Sequence, residues 1–239
     1  MGKAIFVTGT DTGVGKTFFG CALLALLKSY AYDVGVMKPV ETGCVEKDGR
    51  LFPEDAWRLK EASGCAESIE KICPYRLSEP LAPSIAAERG GVKIDVDHLL
   101  ALCCEISEKY DITLIEGAGG LMVPIVPSFT FADFARVARL PIVVVAANKL
   151  GVINHLLLTL EYASGKGLQT LGYVMNRVTE DWSLAAETNR EALAGMTGVP
   201  CLGELPYVRD FHCRSSETLA KVEAELDLRM IEWALRNHK

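Results

Sequence analysis

The sequence predicts an α/β protein with a doubly wound, mostly parallel sheet flanked by helices. Short β-rich runs alternate with helical stretches along its 239 residues. The runs are continuously apolar, as strands covered on both faces must be. The first, Ala4–Thr8, passes straight into a glycine-rich loop and a helix. Further strands are expected at Val34–Lys38, Ile112–Glu116, Ile142–Ala146, Thr170–Met175 and near Cys201–Gly203. Helices are expected at Gly15–Ala31, Asp95–Lys109, Phe131–Ala138, Ile153–Lys166, Ser183–Thr197 and Ser216–Asn237, with a short one at Glu54–Ser63. Gly35, Gly167 and Gly172 are expected near turns. The stretch Gly43–Gly91 holds Pro53, Pro74, Pro80 and Pro83 and is the least regular. It reads as an excursion over the sheet ends, inside a single domain spanning residues 1–239.

The loop is Gly9-Thr10-Asp11-Thr12-Gly13-Val14-Gly15-Lys16-Thr17. Strand, glycine-rich turn, lysine, hydroxyl and helix in that order make a phosphate-binding loop. Glycines let successive N–H groups turn inward onto phosphate oxygens. The following helix adds the positive end of its dipole. Lys16 would reach the β- and γ-phosphates, and Thr17 would hold Mg²⁺. The loop is a variant, with Thr10 at the usual first-glycine position.

Net charge is −6, and no dense basic run appears, so nucleic acid and anionic membranes are not expected as partners. The N-terminus reads as a core strand rather than a signal peptide, and no apolar stretch is long enough to span a bilayer. The expected location is therefore the cytoplasm. The eight cysteines (Cys21, Cys44, Cys65, Cys73, Cys103, Cys104, Cys201 and Cys213) form no C-x-x-C pair. They read mostly as reduced, buried, small apolar side chains. His98, His155, His212 and His238 lack metal-binding spacing.

A second signal is Ile112-Thr113-Leu114-Ile115-Glu116-Gly117-Ala118-Gly119-Gly120. An acid at a strand end beside a phosphate loop helps hold Mg²⁺. Lys38 follows the second strand and faces the ligand crevice, where it would neutralise charge. Asp55 stands at a helix start, where its ordinary role is to cap. Asn148-Lys149-Leu150-Gly151 lacks the final aspartate of the guanine-reading N-K-x-D motif, which argues against GTP. Asn176, after a strand, would hydrogen-bond adenine. The helix after Gly151 opens without a strong cap, leaving N–H groups suited to a carboxylate. Thr130 and Asp133 have capping-box spacing.

In combination these segments resemble the dethiobiotin synthetase family over most of the chain. The resemblance rests on the Val7–Thr12 and Val14–Thr17 segments, Lys38-Pro39-Val40, Asp55-Ala56 and Glu116–Gly120. It extends through Thr130–Asp133, Lys149-Leu150-Gly151, Ile153-Asn154-His155 and Leu202-Gly203-Glu204. It implies a phosphate-loop nucleoside triphosphate hydrolase fold and a C–N-forming cyclo-ligase of biotin biosynthesis. That ligase uses ATP, Mg²⁺ and CO₂ or bicarbonate to close 7,8-diaminononanoate into dethiobiotin through a carbamate and a carbamic–phosphoric anhydride. By position, Lys16 and Lys38 would be catalytic, and Thr17, Asp55 and Glu116 would hold Mg²⁺. Gly13, Val14, Gly15, Lys16, Thr17, Glu116, Gly117, Ala118 and Gly119 would bind nucleotide. Asn176, Arg177, Leu205, Pro206 and Tyr207 would surround the base. Thr12 and Thr42 would face diamine or carbamate. Gly151, Val152, Ile153 and Asn154 would bind the substrate carboxylate across a homodimer interface. Gly13 and Thr42 stand where other members carry Glu and Ser.

A nucleotide-switch ATPase of the partitioning or septum-placement type is the rival. Such proteins carry a second lysine early in the loop, and Gly9–Thr12 has none. The tail from Leu219 holds Glu223, Glu225, Asp227 and Glu232, poorly suited to an anionic membrane. A corrin-directed amidotransferase would need a glutaminase region for which this length leaves no room.

Overall fold

Six of the apolar runs pair into one parallel sheet. The computed structural model describes residues 3–180, 183–209 and 216–227. In chain order, β1 (Lys3–Gly9) feeds α1 (Lys16–Ser29), which returns to β2 (Val34–Met37). The next stretch carries β3 (Val40–Thr42), the hairpin of β4 (Val45–Lys47) and β5 (Arg50–Phe52), and α2 (Glu54–Ser63). It continues through α3 (Ile69–Ile72), β6 (Tyr75–Leu77) and α4 (Pro83–Arg89). Then α5 (Val96–Lys109) leads into β7 (Ile112–Glu116), the pair β8 (Pro124–Val126) and β9 (Phe129–Thr130), and α6 (Phe131–Val137). The remainder alternates as β10 (Ile142–Ala147), α7 (Val152–Gly165), β11 (Thr170–Asn176), α8 (Leu184–Ala194), β12 (Cys201–Leu205) and α9 (Ser216–Glu225).

The sheet order is β12-β11-β10-β1-β7-β2. The chain winds from β1 outward to β2 on one side and later to β12 on the other. The direction therefore reverses at β1, and a ligand crevice opens at the carboxyl ends there. Register aligns those ends: Val7 lies beside Glu116, Gly9 beside Val145, and Ala147 beside Asn176. The strands are buried over most of their length, with Ile5, Phe6, Val7, Leu114, Ile115 and Val143–Ala146 fully inaccessible. From α1, Phe19, Leu23 and Leu24 add fully buried side chains to this core.

Local chemistry explains the boundaries. Gly15 has φ of 89° and cannot continue a helix backwards, so α1 starts at Lys16 rather than Gly15. Asp95 and Ser183 accept N–H bonds from His98 and Ala186 as caps, so α5 and α8 start one residue later than expected. The Thr130–Asp133 capping box forms at α6. Gly35 and Gly172 lie inside β2 and β11 rather than at turns. A Cβ at Gly35 would meet Tyr110 and Thr113, and one at Gly172 would meet Leu202; close packing selects glycine at both. Gly167 is in a turn, with φ of 70°. The 43–91 stretch is more regular than expected: β3 pairs with β6 and β4 with β5. The final helix ends at Glu225 rather than continuing, because Leu226 bridges Gly203 and the Asp227 N–H donates to Leu202 O. The rest of the expected Ser216–Asn237 helix, with Cys213, His212 and His238, lies outside the described residues.

No disulfide joins the seven described cysteines, and five of them are buried. Burial raises the Cys44 thiol to about 11 and that of Cys103 to about 12, which suits inert core groups rather than nucleophiles. Among the described residues, no helix is long and apolar enough to cross a membrane.

Phe6 joins the sheet to the site. Its ring packs 6.0 Å from that of Phe131 and 6.2 Å from that of Phe134, and it leaves no room for a Cβ at Gly117. Phe6→Ala should cost about 3–5 kcal/mol in chemical denaturation. A loss below about 1 kcal/mol would contradict this packing role.

Candidate active site

The site grows from the turn after β1. Gly13 and Gly15 both adopt positive φ, 74° and 89°, and no side chain caps α1. Nothing stands within 4 Å of the Cβ position of Gly13, so its backbone is bare on that side. Lys16 is nearly buried, and its ammonium donates to the Asp11 carbonyl at 3.1 Å. The loop is clamped from behind: Asn176 Nδ2 donates to Val14 O at 2.9 Å and lies where a Cβ on Gly15 would stand. Asn176 Oδ1 is buried with no partner. The loop after β7 closes the other side, with Gly9 N–H donating to Gly119 O at 3.3 Å.

Below the loop sits a compact charged group. Lys38 and Glu116 form a buried ion pair, and Lys38 also meets Asp55 at 3.3 Å and the Gly117 carbonyl at 3.4 Å. The Thr17 hydroxyl donates to Glu116 Oε1 at 2.8 Å. Burial pulls the Lys38 ammonium down, but Glu116 and Asp55 outweigh it and hold it above the usual lysine range. Burial works to raise the Asp55 carboxyl; Lys38, then Thr17 and Arg58, overcome it and hold it low. Burial lowers Lys16 to about 8, with the Lys38 charge adding to the effect.

A cleft of about 740 Å³ opens over this group. It brings together Thr12, Gly13, Gly15, Lys16, Thr17, Lys38, Thr42, Asp55, Ala118 and Gly119. Glu116 and Gly117 lie buried beneath it. Asp55 does not cap its helix: Pro53 holds the N-cap position, and the Asp55 carboxylate points to Lys38. Arg177 N–H donates to Leu205 O at 3.0 Å, so Asn176, Arg177, Leu205, Pro206 and Tyr207 cluster at the ends of β11 and β12. Gly151, Val152, Ile153 and Asn154 open α7 behind an uncapped Gly151 and do not line the cleft of this chain. A second cleft of about 440 Å³ runs from Thr10–Thr12 to Leu158 and Tyr162 of the same helix.

Asn148 is fully engaged inside the protein. It donates to Ala186 O and Glu204, both at 2.9 Å, and accepts from Asn189 at 2.8 Å. It is therefore unavailable to a base. Sequence reasoning missed Glu41, Arg58 and the Pro80–Pro83 wall of the cleft. The one signal for Glu41 was its place three residues after Lys38.

The donor set fits a hard cation. Two carboxylates and a hydroxyl converge, and Glu116 Oε2 is buried without a hydrogen-bond partner. Oxygen donors of this kind suit Mg²⁺.

Residues 3–213 match a family model described as an AAA domain. A protein from Thermodesulfovibrio yellowstonii, named ATP-dependent dethiobiotin synthetase BioD, is 37% identical over 220 residues, 89% of this chain and 92% of that one. The protein of the same name from Anaeromyxobacter dehalogenans (strain 2CP-C) is 38% identical over 222 residues, 93% of this chain and 97% of that one. The chain belongs to the dethiobiotin synthetase family. Among solved structures, the cell division ATPase MinD of Pyrococcus furiosus superposes with a TM-score of 0.56 at 17% identity, covering 98% of this chain and 99% of that one. A putative plasmid partition protein of Borrelia burgdorferi gives 0.56 at 14%, covering 97% and 98%. At these identities the likeness is one of fold, that of the phosphate-loop nucleoside triphosphatases. This dethiobiotin synthetase family member thus shares its fold with these two proteins and its sequence with the named synthetases.

With Lys16 depressed, a nucleotide phosphate bound against it would make binding proton-linked. Its folded value lies below the unfolded value, so between the two the unfolded chain holds a proton that the folded chain has lost. A bound phosphate favours the charged form and takes that proton back. Calorimetry at about pH 8.5 in buffers of different ionisation enthalpy should therefore show proton uptake on ATP binding, with affinity falling as pH rises through about 8. No uptake would contradict the assigned environment of Lys16.

Proposed function

We propose that the chain catalyses ATP-dependent closure of 7,8-diaminononanoate with CO₂ to dethiobiotin, as a cyclo-ligase of biotin biosynthesis. One amine attacks CO₂ and loses a proton, giving a carbamate. A carbamate oxygen attacks the γ-phosphorus and ADP leaves. The second amine attacks the carbamic–phosphoric anhydride carbon, phosphate departs and the cyclic urea closes.

The protein's task in such a reaction is positioning and charge neutralisation. Backbone N–H groups of Gly13–Lys16 and the start of α1 hold the phosphates. Lys16 and Lys38 offset charge on the γ-phosphoryl group and the carbamate. Thr12 and Thr42, both lining the cleft, hold the diamine or carbamate. Thr17, Asp55 and Glu116 would hold Mg²⁺, which supplies further neutralisation of phosphate charge when bound. The unpartnered Oδ1 of Asn176 accepts from the adenine amino group, with Arg177 and Leu205–Tyr207 beside it. The amides of Gly151–Asn154 serve the substrate carboxylate bound by a second copy, which makes the working unit a homodimer of single-domain chains in the cytoplasm.

The observation that carries this reading is the second lysine, Lys38, buried under the phosphate loop against two carboxylates, in a chain of this family. The test is incubation with 7,8-diaminononanoate, ATP, Mg²⁺ and ¹³C-bicarbonate. Labelled cyclic urea that needs all four components is expected by mass spectrometry. ATP hydrolysis without labelled urea at saturating diamine would overturn the reading. Lys38→Ala should lower kcat about 10²–10³-fold and leave most of the ATP affinity. Glu116→Gln should shift the Mg²⁺ titration of activity upward; an unmoved titration would remove Glu116 from the metal site.

A further inference from the structure

The geometry points to Glu41 as the positioning residue that sets Asp55 in place for the metal. It acts as the N-terminal cap of α2 from outside that helix. The inference rests on the proposed metal role of Asp55.

The N-cap residue of α2 is Pro53, which has no side-chain hydrogen-bonding group, and no side chain of its own segment caps the helix. Its first-turn N–H groups therefore need another acceptor. Glu41, on β3, supplies it. Its Oε1 accepts from Asp55 N–H at 3.0 Å and its Oε2 from Ala56 N–H at 2.9 Å. The carboxylate is nearly buried, 5% exposed, and both oxygens are committed to the backbone. A negative group there also complements the helix dipole. Charge-assisted bonds of this kind are about twice as strong as neutral ones.

What they fix is the backbone of Asp55 itself. Asp55 is half-buried, and its carboxylate meets Lys38 at 3.3 Å. Lys38 directly follows β2, and Glu41 lies three residues further on, inside β3. They grip the same residue from two directions, Lys38 by its carboxylate and Glu41 by its N–H. Glu41 lines the cleft, but with both oxygens engaged it acts through Asp55 rather than on a substrate.

Support from behind a metal ligand is worth roughly 10- to 100-fold in metal affinity. The test is calorimetric binding of a non-hydrolysable ATP analogue, with and without Mg²⁺, to wild type, Glu41→Ala, Glu41→Gln, Asp55→Asn and the double variant Glu41→Ala/Asp55→Asn. Without Mg²⁺, Glu41→Ala should bind as wild type does. The Mg²⁺ concentration for half-maximal enhancement should rise roughly 10- to 100-fold in Glu41→Ala and by a smaller factor in Glu41→Gln, which keeps one acceptor oxygen. Adding Glu41→Ala to Asp55→Asn should produce little further rise, because the first acts through the second. An unchanged Mg²⁺ requirement in Glu41→Ala, or two full and independent losses in the double variant, overturns the inference while the metal reading stands. An unchanged requirement in Asp55→Asn overturns the metal role of Asp55 and the inference with it.

Discussion

The buried pair between Lys38 and Glu116 is the constraint around which the site is built. Glu116 is wholly inaccessible and Lys38 is 2% exposed. Two charges at that depth persist only because each compensates the other, and removing one leaves a buried charge that costs about 3–5 kcal/mol. The sheet delivers the pair by register. Met37 lies beside Ile115 on neighbouring parallel strands, so the next residue on each, Lys38 and Glu116, arrives at the carboxyl edge together. Thr17 reaches the same carboxylate from α1, and Asp55 reaches the same ammonium from α2. Four separate segments are thereby tied at one point beneath the phosphate loop.

Two lysines of identical chemistry are tuned in opposite directions there. Lys38 is held charged by carboxylates that outweigh its burial. Lys16 is pulled down to about 8 by burial, with no carboxylate in direct contact. The first is a fixed positive charge that compensates the buried Glu116. The second would become fully charged against a bound anion, which would link phosphate binding to proton uptake. A phosphoryl-transfer site gains from that division, since charge is concentrated where the substrate sits.

Much of this was legible in the sequence, and the limits were physical. Strands and phosphate loop were readable because buried parallel strands must be apolar runs and the loop needs glycines at set spacing. Boundaries slipped by a residue or two where a cap or a positive φ intervened, as at Gly15, Asp95 and Ser183. Gly35 and Gly172 were misplaced because a glycine chosen for close packing looks the same in sequence as one chosen for a turn. The end of α9 was hidden because a long-range bridge to Gly203 stops a segment whose local pattern would continue. Asp55 has the local pattern of an ordinary cap, and the one local signal for Glu41 is its place three residues after Lys38. Their relation exists only after β3 and α2 have folded against each other.

The most direct measurement is a double-mutant cycle on folding stability with Lys38→Met, Glu116→Gln and the double variant. A mutually compensating buried pair predicts that each single change is clearly destabilising. It also predicts that the double variant is less destabilised than either single change, so that the coupling is at least about 3 kcal/mol, while it remains inactive. Additive losses, with no recovery in the double variant, would contradict the claim that this pair holds the site together.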